Sequence, residues 1–158
     1  MKKSLILLSA LCLFGCSDRE SDDVAKQVNY HFSAEPKACA YVFYEVEGAP
    51  ALELEDRNLN FRFDDQNIIT TSSPLDFGWE SKESAGIKTY NYYNSEGTKI
   101  AEEEIPTSVT GAVTVDDVEH DFTEIHFNDK EECFSDDSAE NNKIFSELIE
   151  KIYKKINK

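Results

Sequence analysis

Basic residues are scarce in this chain. Its 158 residues hold 16 lysines and arginines against 32 aspartates and glutamates, a formal net charge of −16. Nucleic-acid binding needs a basic footprint, so that class of partner is not expected. Long apolar runs are also missing. The longest, residues 4–14 (SLILLSALCLF), falls short of the roughly 20 residues that a membrane-spanning helix requires. Cysteine occurs at only four positions, 12, 16, 39 and 133, with no C-x-x-C. No dithiol redox motif or clustered thiolate metal site is therefore written in the sequence. G-x-S-x-G, P-loop, H-E-x-x-H and G-x-G-x-x-G patterns are all absent. The chain reads as a non-enzyme with no cofactor and no metal, and it contains no internal repeat or low-complexity tract.

What is present begins at the N-terminus. Lys2 and Lys3 precede the apolar run, which closes in Leu13-Phe14-Gly15-Cys16. A positive start followed by a short apolar core is the layout of an export signal. The closing four residues resemble the lipobox of bacterial lipoproteins, although Phe14 is bulkier than usual there. The resemblance implies cleavage after Gly15 and lipidation of Cys16, with a diacylglyceryl group on its sulfur and acylation of its freed amine. A plain secretory signal with incidental cysteines is the alternative. One acyl chain binds a bilayer only marginally, at about 0.8 kcal/mol per buried CH₂, so several would be needed to hold firmly. The residue after Cys16 is Ser17 rather than Asp; by resemblance to the sorting rule of Gram-negative lipoproteins, where Asp there tends to retain the protein in the inner membrane, this favours the outer membrane and a periplasm-facing domain.

Removing residues 1–15 takes away two lysines and no acid, so 143 residues remain and the net charge moves from −16 to −18. That length suits one domain. The acidity favours solubility and, for any protein partner, a basic one. Residues 17–29 (SDRESDDVAKQVN) are polar and nearly free of apolar side chains. The expected organisation is a signal at 1–15, a lipidated tether at 16–29 and one domain at 30–158. Extended, the tether would reach about 45 Å at ~3.3–3.6 Å per residue. Export brings an oxidising compartment, so the two cysteines left in the domain, Cys39 and Cys133, are expected to pair.

Residues 40–46 (AYVFYEV) are apolar on both parities, the pattern of a central strand buried on both faces. Leu59, Phe61 and Phe63 alternate with Asn60 and Arg62, a half-buried strand. Residues 64–67 turn the chain into a further strand at 68–71. Asn94-Ser95-Glu96-Gly97 lies between residues 87–93 and 98–105, a hairpin signal with Gly97 at positive φ. Val109, Val113 and Val115 share a parity, and Asp116-Asp117 turns into a strand over 118–127. About seven short strands predict an α+β, mainly β fold: an antiparallel sandwich or curled sheet. Near the end, residues 135–138 offer N-caps. Ile144, Phe145, Leu148, Ile149, Ile152 and Ile156 then recur at helical spacing. Glu147 with Lys151, and Glu150 with Lys154, are favourable i,i+4 pairs. This amphipathic helix is expected to pack on the sheet; a membrane-surface or partner-binding helix is the alternative.

Several short motifs recur in one family. They are Gly48-Ala49-Pro50-Ala51-Leu52, Arg62-Phe63, Ile68-Ile69-Thr70-Thr71-Ser72, Gly78-Trp79, Tyr90-Asn91-Tyr92-Tyr93 and Gly97. Through them residues 40–106 resemble an uncharacterised domain family of small exported bacterial proteins. Asp65-Gln66-Asn67 stands where that family has a Pro-Gly-type turn. The resemblance implies a β-rich domain and assigns no activity and no site residue.

The histidines are His31, His120 and His126. His120 and His126 share a parity near Asp116, Asp117 and Glu119, but six residues along a strand span about 20 Å, too far for one ion. Adjacent carboxylates such as Asp64-Asp65 point to opposite faces of a strand and make poor acid–base pairs. The most unusual loop is Ser73-Pro74-Leu75-Asp76-Phe77-Gly78-Trp79. Phe77 and Trp79 read either as partner contacts on a loop over a rigid sheet or as a mini-core in which Trp79 covers a sheet edge. The functional expectation is a membrane-anchored, periplasm-facing, non-enzymatic lipoprotein of the envelope. The alternative is an immunity protein or inhibitor whose acidity steers a basic toxin or envelope hydrolase onto it.

Overall fold

The computed structural model describes residues 24–33, 39–80, 88–101, 106–127, 133 and 139–153. Eight strands and one helix lie among them: β1 (Gln27–His31), β2 (Cys39–Phe43), β3 (Leu54–Glu55), β4 (Asn58–Arg62), β5 (Ile68–Thr70), β6 (Thr89–Tyr93), β7 (Thr107–Val115), β8 (Val118–His126) and α1 (Ala139–Tyr153). They form two four-stranded sheets, ordered β3-β4-β1-β6 and β5-β2-β8-β7. Among the described residues no helix is long and apolar enough to cross a membrane.

The expected antiparallel arrangement of about seven strands is corrected to eight strands in two mixed sheets. β1 runs parallel to both β4 and β6, and β2 runs parallel to β5 but antiparallel to β8. The reason is the route of the chain, which changes sheet between β1 and β2, β2 and β3, β4 and β5, β5 and β6, and β6 and β7. Among the described residues only β3–β4 and β7–β8 are hairpins of sequence neighbours. Each closes on two residues at positive φ, Asp56 and Arg57 in one and Asp116 and Asp117 in the other, the two-residue turn that matches strand twist. Gly97 does take positive φ. The strand expected after it is, among the described residues, a single bridge from Tyr93 to Lys99.

Folded structure also begins earlier than Tyr30. β1 takes in Gln27, Val28 and Asn29, and Ala25 is buried, so the last residues read as tether belong to the domain. β1 lies in register between β4 and β6, which aligns Asn60, Asn29 and Asn91 on one face. Their amides form a ladder: the Asn29 Nδ2 donates to Asn60 Oδ1 at 3.0 Å, and the Asn91 Nδ2 donates to Asn29 Oδ1 at 2.9 Å. On the other face Phe61, Tyr30 and Tyr92 stack in the same order, each step 5.1 Å between centroids.

The core lies in two layers. Val28, Tyr30, Leu59, Phe61 and Tyr92 from the first sheet meet Ala40, Val42, Tyr44 and Ile125 from the second. On the far side of the second sheet, Tyr41, Phe43, Val115 and Phe122 meet Phe145, Leu148, Ile149, Ile152 and Tyr153 of α1. β2 is therefore buried on both faces, as its sequence requires. The expected helical stripe is the packing face, except that Ile144 is 40% exposed. Ile156 and Lys154 lie outside the described residues.

Candidate functional site

Gly15 and Cys16, the cleavage and lipidation positions, lie outside the described residues. Cys39 and Cys133 are disulfide-bonded, with Cα atoms 5.7 Å apart. The bond fastens the link between β8 and α1 to the start of β2. His126, opposite Cys39 in register, places Nδ1 3.4 Å from the Cys133 sulfur. Its Nε2 lies 2.5 Å from the carboxylate of Glu124, a residue only 3% exposed. Ligand atoms of Cys39, His126 and Cys133 thus lie within 4.8 Å of one another. Both sulfurs are committed to the bond, so the cluster presents no thiolate pair for a metal. His120 stands elsewhere, stacked on Tyr153 at 4.0 Å. His31 stacks on Tyr93 at 4.7 Å, and burial, then the Arg62 charge, pulls its pKa down.

The aromatic loop is tightly tied. Phe77 N–H donates to Pro74 O at 3.1 Å, and Trp79 N–H donates to Asp76 O at 3.0 Å. Gly78 sits at φ +75, where a β-carbon would come 3.2 Å from that of Ala25. Its carbonyl accepts from Ala25 N–H at 2.7 Å. This close approach at positive φ is glycine's province, and it fastens the loop to the chain entering β1. Phe77 packs against the inter-sheet core. Trp79, half-buried, turns to the wall of a cavity instead.

That cavity, about 120 Å³, opens between the sheets beside β6 and β7, the terminal strands of their sheets. Tyr30, Tyr44, Trp79, Lys88, Tyr90 and Thr110 are among its lining residues. The Lys88 Nζ is shielded from solvent and has no hydrogen-bond partner among the described residues. It sits 4.9 Å from the centroid of the Trp79 ring, a cation–π distance. Burial pushes its pKa down to about 8, so at neutral pH it still carries its charge. Burial pushes the phenols the other way: Tyr44 up to about 12, and Tyr30 and Tyr92 upward. They stay protonated. The Tyr44 hydroxyl pairs with Thr123 Oγ1 at 3.1 Å. No carboxylate lines the cavity among the described residues.

Of the residues singled out by sequence, Trp79 belongs to this site and Phe77 supports it from the core. Lys88 was not legible, because a lone lysine ahead of a strand reads as solvated. The nearest signal was the run of tyrosines that follows it.

No protein-family model matches the chain, and no curated protein sequence matches it. The likeness drawn over residues 40–106 rests on its sequence motifs alone. Among solved structures, the chain is similar to the crystal structure of a "putative lipoprotein" from Bacillus anthracis, with a TM-score of 0.58 and 20% sequence identity. The similarity covers 85% of this chain and 99% of that one, and it shows a shared fold.

Proposed function

We propose that this chain is a lipid-anchored, non-enzymatic protein of the bacterial cell envelope whose sandwich domain binds a ligand in the Lys88–Trp79 cavity. Two things support the anchor: the Leu13-Phe14-Gly15-Cys16 lipobox pattern, and the fold shared with the "putative lipoprotein" from Bacillus anthracis. Ser17 after the lipidated cysteine favours the outer membrane, with the domain in the periplasm. The observation that carries the binding role is the Lys88 ammonium among aromatic walls, with no hydrogen-bond partner among the described residues. A buried charge without a partner is costly to keep, which favours a site completed by a ligand. The reading as an immunity protein or an inhibitor of a basic toxin or envelope hydrolase draws on small size, export, a tether and acidity, and the cavity does not call for it.

Detergent phase partitioning tests the anchor. The wild-type protein should enter the detergent phase, and Cys16→Ser should move to the aqueous phase or remain unprocessed. Equal partitioning of the two would refute lipidation at Cys16. Quenching of Trp79, the only tryptophan, by small ligands tests the cavity.

A further inference from the structure

We infer that the cavity takes the carboxylate end of a small, partly apolar molecule, an inference that rests on the cavity being the binding site. The charge decides the sign. Among the described residues Lys88 Nζ is the cation of the cavity lining, held over Trp79 without a hydrogen-bond partner, and no described carboxylate lines the space to neutralise it. An anion placed there gains a charge-assisted hydrogen bond that no described residue supplies.

The rest of the lining narrows the chemistry. Ser108, Thr110 and Thr123 bring hydroxyls to one side, and the Tyr30 and Tyr44 phenols stay protonated because burial raises both. Hydroxyls can donate to carboxylate oxygens. The opposite wall is Val28, Leu59 and Phe61. Half polar and half apolar surroundings suit a carboxylate on a short carbon body better than a fully hydrated inorganic anion. The size agrees: about 120 Å³ is well below the ~300–1,000 Å³ of drug-sized pockets. Tyr90 lines the cavity yet is 45% exposed, so the space reaches the surface along β6. The chain as a whole carries a formal net charge of −16, which repels anions in general and makes Lys88 the attraction within the described lining.

The carboxylate has two conceivable sources, a free small acid or the C-terminus of a peptide. The test uses the mature protein in detergent micelles and follows Trp79 fluorescence. The probes are propionate and benzoate, the matched propionamide and benzamide, inorganic phosphate, and a short apolar peptide as free acid and as amide. Saturable quenching by a carboxylate is expected, about tenfold or more tighter than by its amide, the usual worth of a hydrogen bond to a charged group. Lys88→Met should remove that preference while leaving the near-ultraviolet circular dichroism unchanged. In the wild-type protein, which needs no substitution, affinity should fall as pH rises past about 8, where Lys88 loses its proton. Among the described residues, the charged and titratable groups lining the site are Lys88, Tyr30, Tyr44 and Tyr90. Binding of the peptide acid without the small acids would assign the carboxylate to a polypeptide end. Equal binding of acids and amides would overturn the inference and keep the binding cavity. Tighter binding of phosphate than of any carboxylate would overturn it as well. If no probe perturbs Trp79, both the inference and the binding role fail.

Discussion

The Tyr153 hydroxyl donates a 3.0 Å hydrogen bond to the backbone carbonyl of Tyr44, 109 residues earlier in the chain. Tyr153 closes α1, while Tyr44 follows β2 and sends its own side chain into the opposite layer to meet Thr123. Two tyrosines thereby connect the helix, the second sheet and the inter-sheet core. Tyr153→Phe keeps the ring against Phe43 and His120 and removes only the hydroxyl. It should cost about 1–3 kcal/mol, the range for leaving a buried acceptor unsatisfied. Urea denaturation measures it, and an unchanged midpoint would show that the bond contributes nothing.

Alkaline pH should weaken the fold through its buried phenols. Burial raises the pKa of Tyr30, Tyr44, Tyr92 and Tyr153. The unfolded chain ionises these groups near pH 10 while the folded chain keeps them neutral. Fewer protons are then bound by the unfolded state, so stability from this source is constant below about pH 10 and falls above it. Spectrophotometric tyrosine titration of the folded protein should leave several phenols un-ionised at pH 11. Simultaneous ionisation of all seven tyrosines near pH 10, without unfolding, would contradict the burial argument.

Lys88 pulls the opposite way over a lower range. Its folded pKa of about 8 lies below the ordinary 10.5, so between those values the unfolded chain binds the extra proton. Stability from Lys88 therefore rises with pH through that window, and below pH 8 its buried charge is a standing cost. Lys88→Met should be more stable than wild type at pH 7 and should lose the rise above pH 8. Chemical denaturation at pH 7 and pH 9 checks both points. A Lys88→Met protein less stable than wild type at pH 7 would mean that the ammonium already has a stabilising partner.

These residues also show how far the sequence could be read. β2 and β4 were visible because burial leaves a period: both parities apolar in one, alternation in the other. The α1 face was visible for the same reason in Phe145, Leu148, Ile149 and Ile152. β1 was hidden because Asn29 is buried with its side-chain amide hydrogen-bonded to Asn60 and Asn91, 31 and 62 residues away, and polarity gives no hint of such partners. Period also says which face is buried, never which strand lies alongside, so the parallel pairings could not be read. Leu54 and Glu55 are too few to show a period at all. At the cavity, Trp79 stood out as an aromatic in a loop. Lys88 depends on that ring, nine residues earlier, and on Thr110 of another sheet closing around it.

Gly111, the one glycine within a described strand, should tolerate no larger side chain. It faces Phe122 across the β7–β8 ladder. A β-carbon there would fall 2.6 Å from Phe122 Cζ and 2.7 Å from Cε1. The ring has little room to yield, since Phe43 and Phe145 pack against it at 6.1 and 5.3 Å between centroids. Gly111→Val should cost about 1–3 kcal/mol, as overpacking of a filled core does. Gly48→Ala, with open space around its β-carbon but φ +73, separates backbone strain from the clash. A smaller loss for Gly111→Val than for Gly48→Ala in thermal melts would refute the packing argument.

The disulfide should carry a large share of the domain's stability. Cys39 and Cys133 are 94 residues apart, and closing a loop of that length is worth roughly 4–5 kcal/mol in the chain-entropy model. Its position adds a local effect. Cys133 lies between β8 and α1, so the bond fixes where the chain leaves the second sheet before the helix packs on Tyr41, Phe43 and Phe122. In Cys39→Ala/Cys133→Ala the helix layer should loosen before the inter-sheet core. Hydrogen exchange should then quicken first in α1, with β1 and β4 protected for longer. Global unfolding should move to markedly lower urea. Two results would count against this account: exchange in α1 no faster than in wild type, or quantitative thiol labelling of Cys39 and Cys133 in denatured, unreduced protein, which would mean that the bond does not form.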